Sequence, residues 1–326
     1  MIYMLFDNPA DKKNMTFLND YETLLIRQVY PSKKCNSIQE MLSACKDVIK
    51  QSTNGDIIIC WYDFMAVLCW WLCKVKLKNR KIIALNILLK NKKTVKNKLA
   101  KFLYRHALKA KNVQATVTSQ NYGEHLNEIL GIKKKYTLLH DIYHGGYCIK
   151  YDGTIIPNTV FCGGRNGRDW EFLIRIAQAS PAVTFNCVMP MDKYEQYKDK
   201  FCKNMMIKTD ISEKEFLTFM CQSELVVMPL DTEAPAGLIA FYQATANGKM
   251  VITTDTVTTQ EYFTAGRGAL CGDMVQEWKK KIDYYLKHNE EAQMCAEKFA
   301  DFLETECSEQ EYARVLNCVI KNCEYK

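Results

Sequence analysis

Residues 159–170 have the sequence TVFCGGRNGRDW, and this segment is the clearest indicator of the fold class. Its first four residues form a short apolar run of the kind that buried β-strands have. The glycine-rich loop 163–169 follows, and Asp169 can cap the first turn of a helix whose apolar side chains fall on one face. A strand, a glycine loop and a helix in this order indicate a β-α-β unit, in which helices cover a parallel sheet.

The same alternation continues on both sides of this stretch. Strands are predicted at 2–6, 56–62, 81–86, 115–118, 183–188, 225–228 and 250–254, and helices at 37–49, 95–108 and 237–247. Capping boxes are predicted for Ser212 with Glu215, Thr258 with Glu261 and Ser308 with Glu311. The run 57–73 is marginally short for a membrane span and contains Asp63, so it is interpreted as a strand followed by a helix. The chain is therefore predicted to be an α/β protein built on parallel sheets.

The length of the chain predicts two domains. At 326 residues it exceeds the size at which a single hydrophobic core usually stops growing. The segment 140–157 is the richest in turn formers, with Gly145, Gly146, Gly153 and Pro157, and makes the natural linker. We therefore predict an amino-terminal domain over 1–148 and a carboxyl-terminal domain over 149–326.

The composition excludes a disordered or collagen-like chain, because apolar residues make up 48% of it and charged residues 25%. The fifteen cysteines are scattered, without the Cys-x-x-Cys spacing of zinc and redox sites, which predicts reduced thiols. Met1 is followed by a strand-like run rather than a basic segment and a long apolar one, so no secretory signal is expected. These features predict a cytoplasmic protein.

Positive charge is concentrated in the tract that begins at Lys74 and ends at Lys111. This tract holds fourteen Lys or Arg residues and no acidic residue. It can be a nucleic-acid patch, a solvated basic face or a surface that attracts anionic inner-leaflet lipid. Trp70 and Trp71 lie just upstream and favour the membrane, whereas no nucleic-acid recognition motif accompanies the tract. We therefore predict peripheral association with the inner membrane face and no nucleic-acid partner.

Two loops are candidates for binding phosphate. In a doubly wound sheet, ligands lie outside the carboxyl ends of the strands, where helices begin. In the loop 163–169, three glycines allow close approach of the backbone, the helix amino terminus favours an anion, and Arg165 or Arg168 can clamp phosphate oxygens. A tight structural turn, with Arg168 in a surface ion pair with Asp169, is the alternative. A second loop, 229–237, also leads from a strand into a helix.

The run 236–252, AGLIAFYQATANGKMVI, resembles the donor-site segment of glycosyltransferase family 4, in which a glycine precedes a helix carrying Glu-Ala-Met-Ala-x-Gly-Lys-Pro-Val-Ile. Gln243 stands where the helix glutamate is expected, and Met250 stands where the proline is. The upstream run 161–170 resembles the Gly-Gly-Arg-x-x-Arg-Asp loop of bacterial members. Two such motifs in the right order are more specific than either alone. The resemblance covers about residues 155–265.

The resemblance implies the GT-B fold, with two Rossmann-like domains facing each other across a cleft. It also implies transfer of a sugar from a nucleotide diphosphate sugar to a glycan or polyprenyl-linked acceptor in surface-polysaccharide assembly. No cofactor is implied, and the chain has no Asp-x-Asp to hold a metal, so metal-independent transfer is predicted. The donor-binding residues implied are Gly163, Gly164, Arg165, Asn166, Arg168, Lys208, Ala236, Gly237, Leu238, Gln243 and Lys249.

The catalytic residues are less well specified by the sequence. The first glutamate of the family pair would fall at Pro235, so Glu233, two residues earlier, is the candidate to replace it. Asp63, just after a strand, and His144, near the linker, are candidate bases for the acceptor hydroxyl. Asp63 can equally be a helix cap, and Glu233 a solvated loop charge.

Two alternative functions stay open at this point. One is a GT-B-like sugar-nucleotide epimerase. The other is a non-catalytic, membrane-associated partner protein that keeps the fold, for which Gln243 and Pro235 in place of glutamates are the main support. The donor base and sugar, the acceptor and the stereochemistry are not encoded in any recognisable motif.

Overall fold

The computed structural model describes residues 1–11, 17–18, 26–89, 91 and 94–324. These divide into two compact units. Unit 1 comprises Met1–His140 together with the last helix, from Glu309, and unit 2 comprises Asp141–Ser308. The division falls eight residues before the predicted boundary at 148/149, and the last helix belongs to unit 1 although it follows unit 2 in sequence.

The elements alternate along both units. In unit 1 they are β1 Ile2–Leu5, β2 Ile26–Val29, α1 Ile38–Gln51, β3 Ile57–Cys60, α2 Asp63–Val75, β4 Lys81–Ala84, α3 Val95–Lys109, β5 Val113–Val117, α4 Gln120–Leu130 and β6 Thr137–Leu138. In unit 2 they are β7 Thr159–Gly163, α5 Trp170–Ala179, β8 Thr184–Met189, α6 Met191–Tyr197, β9 Met205–Thr209, α7 Glu213–Cys221, β10 Leu225–Met228, α8 Leu238–Ala246, β11 Val251–Thr254, α9 Val257–Tyr262, β12 Ala269–Cys271, α10 Val275–Tyr285 and α11 Asn289–Glu306. The last helix, α12, is Glu309–Glu324.

The sheet of unit 1 has the order β2-β1-β3-β4-β5-β6, and all of its pairings are parallel. Helices α1 to α4 pack side by side, and α12 packs against β4, where Lys81 donates from Nζ to the carbonyl oxygen of Cys323. Because helices cover this sheet, β3 is buried along its whole length and is a continuous apolar run. The interpretation of 57–73 as a strand and a helix is confirmed by β3 and α2.

The sheet of unit 2 is also fully parallel, in the order β12-β11-β10-β7-β8-β9. Successive side chains of β7 point to opposite faces, so Val160 and Cys162 join one apolar cluster, with Trp278, whereas Phe161 joins the other, with Phe241. The strand order reverses between β7 and β10. Ligands of doubly wound sheets bind at such a switch point, outside the carboxyl ends of the two strands. The switch point therefore selects the loops that follow β7 and β10.

Two of the predicted capping boxes are tested by the described helix starts. The box of Ser212 with Glu215 is present at α7. The box of Thr258 with Glu261 was predicted two residues too late, because α9 begins at Val257 and Thr256 with Thr259 forms its capping box. Among the helices that the structure describes, none is both long and apolar enough to cross a bilayer.

Candidate functional site

The two glycine-containing loops lie against each other at the switch point of unit 2. The amide of Asp169 donates to the carbonyl oxygen of Pro229 at 3.0 Å, and the amide of Asp231 donates to that of Gly167 at 3.0 Å. Gly167 has a φ of +71°, and a Cβ there would lie 2.6 Å from the Cβ of Ala236. A side chain at this position would separate the loops, so the glycine is required for their contact.

The buried side chain of Arg168 lies between the two loops and connects them. Its buried guanidinium donates from Nε to the carbonyl oxygen of Gly163 at 2.8 Å and from Nη1 to that of Asn166 at 2.9 Å. A Cβ at Gly164 would lie 2.6 Å from Nη2, and one at Gly237 would lie 3.1 Å from Nη1, so the group stands between both loops. Burial lowers the pKa of Arg168 to about 10. The alternative of a surface ion pair with Asp169 is therefore wrong, because Arg168 is enclosed and bonded to loop carbonyls.

Arg165, by contrast, is exposed, as is Asn166. Arg165 makes no hydrogen bond or ion pair with the part of the chain that the structure describes. It lines a small cavity of about 110 Å³ together with Met189 and Asp210, beyond the carboxyl ends of β8 and β9. Its five donors are thus available to a ligand at the switch point.

The amino terminus of α8 faces the same place. Gly237 precedes α8 in the left-handed conformation, with a φ of +85°, and no side chain caps the helix. The first helical amides, from Leu238 onward, therefore have no side-chain acceptor, and the helix dipole places partial positive charge there. Ala236 and Leu238 are buried, so they contribute backbone and packing rather than side-chain contacts. Such a helix terminus suits an anion.

Gln243 lies further along α8 and is buried. Its Nε2 donates to Oε1 of Glu213 at 3.3 Å, so a carboxylate stands beside the neutral amide. Glu213 is the first residue of α7 and was not among the residues predicted from the sequence. The capping box of Ser212 with Glu215 was a signal for where α7 begins, but nothing in it indicated that α7 would meet α8.

The remaining predicted donor residues are separated by the sheet. Lys208 is in β9, and its Nζ lies 4.3 Å from the ring centroid of Phe219. Its strand ends near the cavity that Arg165 lines. Lys249 lies two residues before the start of β11 and lines a different cavity, with Glu224 and Asn289. Because all strands of the sheet are parallel, the amino end of β11 is at the edge opposite the glycine loop. The structure does not bring Lys249 together with the other donor residues.

Two predicted catalytic side chains have partners within unit 2. Oε2 of Glu233 accepts from the amide of Val257 at 2.8 Å, so this carboxylate caps α9 from the loop that follows β10. Nδ1 of His144 accepts from the amide of Gly146 at 3.2 Å, and its ring packs against that of Tyr147, tilted by 32° with 4.0 Å between centroids. Both side chains thus have local structural contacts. Neither forms a hydrogen bond or ion pair with the glycine loop in the described part of the chain.

Asp63 is enclosed in unit 1, with 3% of its surface exposed. Oδ2 accepts from the amide of Leu88 at 2.8 Å and from the hydroxyl of Tyr104 at 2.7 Å. Burial raises the pKa of Asp63 to about 6, against the opposing effect of these hydrogen bonds. A base that must reach an acceptor hydroxyl needs access, so this geometry supports a structural tie between α2, α3 and the segment after β4 rather than the predicted catalytic role.

No cluster of His, Cys, Asp or Glu that could hold a metal ion occurs among the described residues. The positive features described at the switch point are the side chains of Arg165 and Arg168 and the amino terminus of α8.

Comparison with known proteins agrees with this geometry. Residues 165–316, which begin in the glycine loop, match a sequence family described as Glycosyl transferase-like. The match covers most of unit 2 and the first part of the last helix. The match agrees with the glycosyltransferase class predicted from the sequence, and nothing in it supports the epimerase or the non-catalytic partner. Comparison with curated proteins found no match.

Solved structures of the same fold cover the whole chain. HepE of Anabaena, solved with UDP and glucose, superimposes with a TM-score of 0.69 at 13% identity over 99% of this chain and 98% of its own. Sucrose-phosphate synthase of Thermosynechococcus elongatus gives 0.69 at 10% identity over 98% and 88%. TarM of S. aureus gives 0.66 at 15% identity over 85% and 58%. These similarities confirm the GT-B fold, and the chain spans little more than half the length of TarM.

Replacing Arg168 by Lys is expected to destabilise unit 2, because one ammonium nitrogen cannot reproduce the contacts that Nε and Nη1 make from separate positions of a planar group. We expect a loss of at least about 2 kcal/mol in the free energy of unfolding, measured by urea denaturation. Arg165→Lys is the matched control and is expected to leave stability within about 0.5 kcal/mol, because that side chain is exposed. Equal stabilities for the two variants would contradict the bracing role of Arg168.

The raised pKa of Asp63 makes the stability of the folded protein depend on pH. In the folded protein the carboxyl group of Asp63 keeps its proton up to about pH 6, whereas in the unfolded chain it loses the proton near pH 3.8. The folded state therefore binds more protons in this window, and the Asp63 contribution to the free energy of unfolding falls by up to about 3 kcal/mol as the pH rises from 4 to 6. Asp63→Asn should remove this fall in urea midpoints measured from pH 4 to 7. An identical pH profile in parent and variant would show that Asp63 titrates normally.

Proposed function

We propose that the protein transfers a sugar from a nucleoside diphosphate sugar to a glycan or polyprenyl-linked acceptor. The observation that carries this proposal is the convergence of three positive features at the switch point of unit 2. These are the unpaired guanidinium of Arg165, the buried guanidinium of Arg168 and the uncapped amino terminus of α8. They stand where a doubly wound sheet binds its ligand.

These groups match what the reaction requires. When the bond between the anomeric carbon and the diphosphate breaks, negative charge builds up on the leaving nucleoside diphosphate. Donors that are already oriented towards that charge stabilise the transition state more than the ground state. Arg165 can make a forked contact with phosphate oxygens, and the first amides of α8 can bind a second phosphate.

Gln243 and Glu213 supply the proposed contact with the nucleotide ribose. Because Nε2 of Gln243 donates to Glu213, the amide is held in one orientation and its Oε1 remains an acceptor. A ribose hydroxyl can donate to that oxygen, as it would to the glutamate that the family has at this position. The negative charge near the ribose is thus supplied by Glu213 of α7 instead of by a glutamate of α8.

The proposed acceptor site lies at the switch point of unit 1, between β1 and β3. Asp7 and Trp61 follow shortly after these strands, and the ring of Trp61 lies 5.7 Å from that of Phe6. A sugar ring can pack on an aromatic face while a carboxylate accepts from its hydroxyls. Asp7 has the position for a base that is open to an acceptor, which the enclosed Asp63 lacks.

We further propose that unit 1 rests on an anionic membrane surface through α3 and the end of α2. Val95, Leu99 and Phe102 are exposed large apolar residues at helical spacing along α3, with lysines between them. Phe102 stacks on Trp71, and Leu77, at the end of α2, is 93% exposed in the left-handed conformation. An apolar stripe with a lysine border is the pattern of helices that lie in the membrane interface. A polyprenyl-linked acceptor would be reached from such a surface.

UDP is the first nucleotide to test, since HepE was solved with it. Arg165→Ala is expected to weaken UDP binding at least about tenfold in calorimetry, because charge-assisted hydrogen bonds to the diphosphate are lost. Arg175→Ala is the matched control, because Arg175 is exposed on α5 and contacts the ring of Phe172 instead. Equal affinities for parent and Arg165→Ala would reject this donor site, and absence of binding to any nucleoside diphosphate would reject the function.

Membrane binding is tested by co-sedimentation with vesicles that contain phosphatidylglycerol. Reversing the charges of Lys96 and Lys98 to Glu is expected to lower the partition coefficient at least about tenfold, because each cation contributes about 1 kcal/mol near the surface. Met274→Glu, an exposed position of unit 2, is the control. Binding that is insensitive to salt, to anionic lipid and to both lysines would contradict the proposed surface.

A further inference from the structure

A second cavity of unit 2 lies at the amino edge of its sheet, opposite the donor site. Its volume is about 330 Å³, and its polar lining consists of Glu224, Lys249, Asn289 and Gln293. Lys249 precedes β11, and Asn289 begins α11. The cavity is therefore distinct from the loops that follow β7 and β10.

The side chain of Lys249 is buried without a partner. The residue is 6% exposed, and it forms no hydrogen bond or ion pair through its side chain with any residue that the structure describes. The ammonium itself opens on the cavity, since Nζ is not among the fully enclosed polar atoms of the described residues that lack a partner, and desolvation of the side chain lowers the pKa of Lys249 below its usual value. Glu224 exerts only a longer-range attraction, since its carboxylate accepts from the amide of Asn158.

Other partly buried lysines of the chain are arranged differently. Lys81 and Lys134 each donate to a backbone carbonyl oxygen, those of Cys323 and Val113. Such bonds are the ordinary way in which a lysine with a structural role satisfies its ammonium. Lys249 has no bond of this kind and lines an open space instead.

The start of α11 adds a second positive feature to the same cavity. This helix has 18 residues, and no side chain caps its amino terminus at His288. The first-turn amides of α11, beginning with that of Asn289, therefore have no side-chain acceptor, while the amide of Ala292 already donates to the carbonyl oxygen of His288. The helix dipole places partial positive charge at this end.

We infer that this cavity binds a small oxyanion, a phosphate or a carboxylate group, between the ammonium of Lys249 and the first turn of α11. The anion supplies the acceptor that the ammonium lacks and satisfies the exposed amides of the helix. Glu224 at the wall favours a ligand of low charge, and the volume suits a small metabolite rather than a nucleotide sugar. The site is independent of the proposed donor site.

The test measures thermal unfolding of the full chain in a buffer free of phosphate and carboxylates. Lys249→Met is expected to unfold at a higher temperature than the parent, because it removes a largely desolvated charge that has no partner among the described residues. Inorganic phosphate or acetate should raise the unfolding midpoint of the parent by at least about 2 °C and leave that of Lys249→Met unchanged. Comparing the two salts shows which oxyanion the site prefers.

Two further variants keep the result specific. Arg165→Ala should retain the full phosphate effect, which separates this site from phosphate bound at the donor loop. Lys249→Arg should retain part of it, because the positive charge is kept. UDP affinity of Lys249→Met should equal that of the parent, so failure of the inference and failure of the proposed function are distinguishable. The inference is overturned if neither salt stabilises the parent, or if both stabilise parent and Lys249→Met equally.

Discussion

The proposed donor site of this protein depends on one buried cation, the guanidinium of Arg168. The hydrogen bonds that this guanidinium donates to the carbonyl oxygens of Gly163 and Asn166 offset the free energy lost by its desolvation. Gly164 and Gly167, which follow these two residues, adopt backbone conformations that other residues avoid, and these conformations allow the carbonyls to face inward. The outward side of the loop is then left to Arg165. A single interaction thus fixes the loop shape, joins it to the loop before α8 and decides which arginine can meet a ligand.

Most of the architecture was predictable because a parallel sheet leaves a strong pattern in sequence. Strands such as β3 are buried on both faces and therefore read as apolar runs, and the glycine loop marks the turn from β7 to α5. The return of α12 to unit 1 was not predictable, because an amphipathic helix has the same period whichever sheet it covers. The start of α9 was missed by two residues, since Thr256 and Thr258 are both able to cap a helix and only tertiary contacts select one.

The candidate site was predicted less completely than the fold, because proximity along the chain is not proximity at a sheet edge. Gly237 and Lys249 belong to one sequence motif, but α8 lies between them, and its nine residues span about 14 Å. The motif therefore begins at the ligand-binding edge and ends at the opposite one. The sequence also did not indicate which arginine of the loop faces solvent. Arg165 and Arg168 both lie in the glycine loop, and only the structure shows that the first is exposed and the second is buried. Glu213 could not be found at all without the packing of α7 against α8.

Glu213 also changes how the missing family glutamate is understood. Gln243 in its place was the main support for a protein that keeps the fold without chemistry. An amide whose nitrogen is already bound to a carboxylate presents its oxygen as an acceptor, as a glutamate would, and the negative charge stands one helix away instead of being absent. A substitution at a motif position removes a function only if no neighbour restores the interaction. Here the neighbour is present, so the departure from the motif argues for a rearranged ribose contact rather than for a lost one.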